Sequence, residues 1–243
     1  MQIFRNVYMV GGDDYSLSGT RWPYGDCCSY VLDTGEGLLL FDGGFEETLP
    51  EKLEIFAYWG LRPEEVRYVF VTHAHLDHFT AARYFQSLGA QVVASPFSAR
   101  LMQEGNPEGA DFLAFWAFQN AGVRPRFVPF KADIITPDGD IRNYAGVAVK
   151  SIHTEGPGHH HVLGPQGVSL FLASFEGRNI LFSGDHILFE RYGNVTWPDH
   201  RDIPLFESLQ TEKIDAILGG HWFIHWRPWP REWPALLHPK PVD

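Results

Sequence analysis

Four short apolar runs in this chain each lead into a histidine or aspartate, and that repetition constrains the fold more than any other feature. RYVFVT (67–72) runs into His73, His75, Asp77 and His78. VAVKSI (147–152) leads into HTEGPGHHH (153–161). NILFS (179–183) runs into Gly184, Asp185 and His186, and IDAILG (214–219) into Gly220 and His221. Histidines scattered through a core have no reason to choose strand ends. Side chains on loops above a rigid sheet do, because the sheet holds those loops in fixed register along one edge.

The rest of the chain supplies such sheets. CSYVLD (28–33) and LLLFD (38–42), joined by TGEG, read as a hairpin. Leu49 to Trp59 reads as a helix, with Pro50 in its first turn and Gly60 just past its end. Phe79 to Leu88 reads as a second helix closed by Gly89, and QVVAS (91–95) as the strand after it. This alternation predicts an α/β layered architecture. The second half turns to strands, with VSLFLASF (168–175) and NILFS paired through EGRN. Residues 97–145 stand apart as a helical lid or insertion carrying FLAFWAFQNAG (112–122) and a Pro-rich RPRFVPF (124–130). No composition break marks a second domain, so 1–243 reads as a single domain.

Charge and cysteine usage narrow the partners. Nineteen basic against thirty acidic residues leave a net charge of −11, which argues against nucleic acid and anionic membrane. No apolar run approaches the ~18 residues of a membrane span, and MQIFRNVYMV lacks the pattern of a signal peptide. The adjacent Cys27 and Cys28 would close a strained small ring if bridged. They read as reduced thiols, strand residues in a cytoplasmic protein.

Spacing within the histidine cluster points to metal. His73 and His75, two apart, face the same way from an extended segment. Asp77 and His78, at the start of the next helix, project elsewhere. One tetrahedral ion cannot readily use all four, whereas two ions sharing the loop can. Adding His159, Asp185 and His221 makes seven candidate ligands, enough for two ions with a bridging carboxylate and a bridging water.

HAHLDH (73–78) resembles the His-x-His-x-Asp-His motif of the metallo-β-lactamase superfamily. LLLFDGG (38–44), PGH (157–159), SGD (183–185) and GGH (219–221) follow in that family's order, so the resemblance spans residues 28 to 221. It implies a four-layer αβ/βα sandwich, with the metals at the edge where the two sheets meet. It assigns His73, His75 and His159 to one ion, and Asp77, His78 and His221 to the other, with Asp185 bridging. Asp42 takes a supporting role through hydrogen bonds to ligands. His160 and His161 compete with His159, which the PGH match favours. His153, His186, His200, His225 and His238 read as structural or solvent-facing.

The implied chemistry is metal-assisted hydrolysis. Two divalent ions, zinc by default with iron or manganese as alternatives, lower the pKa of a bridging water so that hydroxide attacks a carbonyl or phosphoryl centre. Asp77 serves as ligand and proton carrier. Asp185 departs from the true β-lactamases of the family, which lack the bridging aspartate. Only residues 222–243 follow His221, too few for the helical region of glyoxalase II-like thioesterases. Lactonase-like enzymes resemble the chain in length and insertion, but their tyrosine three positions after the bridging aspartate is Leu188 here. Tyr192 is the nearby substitute as oxyanion donor.

FLAFWAF (112–118) and HWFIHWRPWPREW (221–233) read either as walls for an apolar acyl or aromatic substrate or as packing, including a homodimer contact. The resulting expectation is a dinuclear hydrolase of a carbonyl ester, lactone or thioester in a small molecule. The alternatives are a phosphodiesterase, and a mononuclear iron persulfide dioxygenase-like or non-catalytic metal-binding protein.

Overall fold

Residues along the central strands face two different apolar environments in turn, and that alternation sets the layers. The computed structural model describes residues 1–12, 26–104, 128–154, 167–187, 203–221 and 224–226. One sheet runs in the order β1 (Gln2–Phe4), β2 (Val7–Gly11), β3 (Ser29–Asp33), β4 (Leu38–Phe41), β5 (Val66–Phe70), β6 (Gln91–Ala94), β7 (Ile134–Ile135). The second runs β13 (His225–Trp226), β12 (Ala216–Gly219), β11 (Arg178–Gly184), β10 (Ser169–Phe175), β9 (Val147–His153), β8 (Ile141–Tyr144).

Leu39 and Phe41 of β4 point into the space between the sheets, with Phe70, Phe171 and Phe182. The Phe41 ring stacks on Phe182 at 3.6 Å between centroids and on Phe70 at 4.6 Å. Leu38 and Leu40 face the other way, onto α1 (Leu49–Tyr58), α3 (Ala82–Ser87) and α4 (Pro96–Glu104) through Phe56, Phe85 and Met102. Leu170, Leu172, Leu181 and Ile217 face outward from the second sheet onto Phe206 and Leu209 of α5 (Ile203–Thr211). The layers are therefore helix, sheet, sheet, helix, the αβ/βα sandwich. No helix among the described residues is long and apolar enough to cross a membrane.

The two expected hairpins form as read. In the second, Glu176 at φ +48° and Gly177 at φ +75° make the two-residue turn between β10 and β11, the handedness that matches strand twist. The single helix expected over 79–88 is instead two, α2 (Leu76–Phe79) and α3. A tertiary contact divides them. Gly43 and Gly44 both donate backbone N–H groups to the His78 carbonyl, and Ala81 N–H donates to Gly44 O. The carbonyl that would continue the helix is thus occupied by the loop after β4.

The stretch 97–145 also differs from a helical insertion at its C-terminal end. There β7 extends the first sheet and β8 extends the second, while 105–127, with the aromatic segment 112–118, lies outside the described residues.

Candidate metal centre

Strand direction brings the candidate ligands to one edge. β4, β5, β6 and β7 pair in parallel, as do β11 and β12, so their C-terminal ends share a side, where open α/β sheets place their sites. Asp42 follows β4, Thr72 and His73 follow β5, Gly184 and Asp185 end β11, and Gly220 and His221 follow β12. Hydrogen bonds fasten the sheets to each other along this edge. Ser169 N–H donates to Thr72 O at 2.8 Å, Cys28 N–H to Gly220 O at 2.6 Å, and Tyr30 O–H to Gly219 O at 2.8 Å.

Among the described residues three groups of ligand atoms lie within 4.8 Å of one another: Cys27 with Asp42 and His78 is one, and the candidate ligands form the other two. Of these two, one holds His73, His75 and Asp185, the other Asp77, His78 and His221. Asp185 reaches both. Its Oδ2 lies 3.8 Å from His73 Nε2 and 3.6 Å from His221 Nε2, and its Oδ1 lies 3.3 Å from His78 Nε2. Asp77 Oδ2 lies 3.1 Å from His221 Nε2. All but His221 are buried, and His221 is the partly open member, with 14% of its side chain exposed. Close packing demands glycine here, because a Cβ at Gly220 would run into both Asp185 Oδ1 and His78 Cε1.

Asp42 supports the cluster without joining it. Its Oδ1 accepts from Thr72 N–H at 2.8 Å, and its Oδ2 from the Thr72 hydroxyl at 2.8 Å and His78 Nδ1 at 2.9 Å. The backbone of Asp42 sits at φ +55°, an unusual conformation for a residue with a Cβ. An ion pair helps hold that loop. Asp26 accepts from the N–H groups of Cys27 and Phe45, the Thr48 hydroxyl and the Lys52 ammonium. Both Asp26 and Lys52 are fully buried.

The electrostatics favour added positive charge. Burial opposes a charge on His78, yet Asp185, Asp77 and Asp42 outweigh it and hold its pKa well above the usual imidazole range. Burial likewise opposes ionising Asp77, and His78 and His221 overcome it to keep that carboxyl below its ordinary value. His78 Nε2 and Asp77 Oδ1 are buried and make no hydrogen bond among the described residues, a cost of about 1–3 kcal/mol for each such atom. A divalent cation between them would offset it. Imidazole and carboxylate donors suit zinc, iron and manganese, so the residues present fit a metal site.

His159, with His160 and His161, lies outside the described residues, as do Tyr192, His200, His238 and most of the aromatic stretch after His221. Of the other histidines, His186 is buried with its ring 6.0 Å from Phe206, and His153 ends β9, where its N–H donates to Asp138. Sequence reading passed over two residues. Thr72 stands directly before the cluster, between Asp42 and His73. Cys27, read there as a plain strand residue, lies just before β3, with its sulfur within 4.8 Å of ligand atoms of Asp42 and His78. The adjacency of Thr72 to HAHLDH was a usable signal; nothing in CCS distinguishes Cys27 from Cys28.

The model of the metallo-β-lactamase superfamily matches residues 22–221. Among solved structures, the fold resembles a metallo-β-lactamase of Cronobacter sakazakii described by a HARLDQ motif, at 23% identity and TM-score 0.65, covering 91% of this chain and 77% of that one. It also resembles BJP-1, a subclass B3 metallo-β-lactamase of Bradyrhizobium japonicum, at 24% identity and TM-score 0.61, covering 91% and 76%. A third is GOB-18 of Elizabethkingia meningoseptica, at 19% identity and TM-score 0.62, covering 89% and 74%. Where the first carries HARLDQ, this chain has HAHLDH, with His75 and His78 in place of arginine and glutamine.

Proposed function

We propose, for a chain that belongs to the metallo-β-lactamase superfamily, a dinuclear metal-dependent hydrolase of a carbonyl ester, lactone or thioester. The observation that carries this reading is Asp185, one buried carboxylate placed between the His73/His75 group and the Asp77/His78/His221 group. His73 and His75, with His159, would hold one ion, and Asp77, His78 and His221 the other, with Asp185 shared. Zinc is the first choice. Two such ions, when bound, supply an acidified water and a Lewis acid for the carbonyl oxygen.

The chain's own residues supply the rest. Asp77, a ligand of the second ion in this reading, is also its proton carrier: it would accept a proton from the attacking water and return it to the leaving group. His221, the partly open member, marks the side from which substrate enters. The substrate is a small molecule with an apolar acyl or aromatic part, matched to the aromatic-rich stretches at 112–118 and 221–233.

Metal analysis of the purified chain should find two zinc ions per chain. A panel of lactone, thioester, β-lactam and phosphodiester substrates should show turnover of the first two classes. Asp185→Asn should lower both metal content and rate. Full metal content and full activity in that variant would overturn the dinuclear reading, and one iron per chain would favour oxygen-using chemistry instead.

A further inference from the structure

We infer that Thr72 is a positioning residue whose hydroxyl, through Asp42, fixes one imidazole in each of the two proposed ion subsites. The inference rests on the dinuclear reading above. Its starting point is a count of protons. Thr72 Oγ1 lies 2.8 Å from Asp42 Oδ2 and 3.1 Å from His73 Nδ1. A carboxylate oxygen only accepts, and a hydroxyl has one proton to give. That proton goes to Asp42, so the hydroxyl must accept from His73, which therefore carries its proton on Nδ1. The lone pair of His73 is left on Nε2, the atom turned toward Asp185 at 3.8 Å.

The same carboxylate oxygen accepts from His78 Nδ1 at 2.9 Å. His78 thus donates from Nδ1 as well, and its Nε2 faces Asp77 and Asp185 at 3.5 and 3.3 Å. One oxygen and one hydroxyl set the orientation of an imidazole on each side of the centre. Orientation by a partner on the far ring nitrogen is how proteins commonly prepare histidine for metal. The unusual element is that the two acceptors are themselves joined, because the Thr72 hydroxyl donates to the same Asp42 Oδ2 that accepts from His78.

Thr72 is itself held rigidly enough for this task. It is buried, its N–H donates to Asp42 Oδ1 at 2.8 Å, and its carbonyl accepts from Ser169 of the other sheet at 2.8 Å. Gly184, at φ +50°, packs against its side chain so closely that a Cβ there would collide with Oγ1 and Cβ. A β-branched side chain so confined keeps one rotamer.

The test compares Thr72→Val, which keeps the shape and deletes the hydroxyl, with Thr72→Ser, which keeps the hydroxyl. Zinc and cobalt are titrated into the metal-free full chain against a competing chelator, and both stepwise affinities are read, with circular dichroism and melting as the check on folding. The wild type should take two ions, and Thr72→Ser should stay within about threefold of it. Thr72→Val should weaken both steps by about 10- to 100-fold and alter the cobalt d–d bands of both ions. If Thr72→Val fails to fold, Thr72→Ala makes the same comparison. Long-range ¹H–¹⁵N spectra of the metal-free wild type should show His73 protonated on Nδ1.

Wild-type affinities for both ions in the hydroxyl-free variant would overturn the inference, as would weakening of one step alone. A wild-type chain that binds a single ion would instead sink the dinuclear reading, and this inference with it.

Discussion

Cys27 is fully buried beside His78 and Asp42, and burial pushes its thiol up to about 11, against some relief from His78. A thiol so placed is neutral and shielded near neutral pH. Ellman's reagent at pH 8 should therefore label neither Cys27 nor the equally buried Cys28 over minutes, and should count two thiols once the chain is unfolded. A pH dependence follows as well. The folded state holds this pKa above the ordinary 9.0, so its contribution is fully present below about pH 9 and is lost as pH rises toward 11. The loss is on the order of 3 kcal/mol. Urea midpoints should fall more steeply between pH 9 and 11 for the wild type than for Cys27→Ala; parallel curves would refute the assignment. The candidate ligand histidines stood out in the sequence because they are crowded and repeat at strand ends. Cys27 did not, because its role arises from Asp42, 15 positions away, and leaves no local pattern; Thr72 had only its adjacency to HAHLDH, with Asp42 30 positions away.

At the scale of elements, the loop after β4 is the busiest joint. It carries Asp42, interrupts the helix between α2 and α3 at the His78 carbonyl, and is tied from beneath by Asp26 and Lys52 of α1. Removing one member of a buried ion pair strands the other charge, at about 3–5 kcal/mol. Lys52→Met should cost that much by urea denaturation, and the double variant with Asp26→Asn should recover most of it. Gly220 closes the joint from the second sheet. Gly220→Ala should leave circular dichroism unchanged and sharply reduce bound metal, because the added methyl must displace Asp185 or His78. Local signals revealed the start of α1 at Leu49 and the hairpins. The break between α2 and α3 was hidden, since the competing N–H groups belong to Gly43 and Gly44, far back in the chain.

The whole molecule is two sheets joined through stacked aromatics, and Phe41 sits between Phe70 and Phe182 in that seam. Phe41→Ala should cost about 3–5 kcal/mol, read as a lowered urea midpoint. The family's motif order made the sandwich readable in the sequence, but β1, β2 and the edge strands β7 and β8 were not. These strands are two to five residues long, and so short a segment owes its conformation to the partner beside it more than to its own alternation. Asp77 and His221 meet across 144 positions of chain. An unfolded chain therefore does not hold these two side chains together, and the cation site is a product of the fold. A cation held there would tie the two sheets together, so on unfolding its release and their separation should be one event.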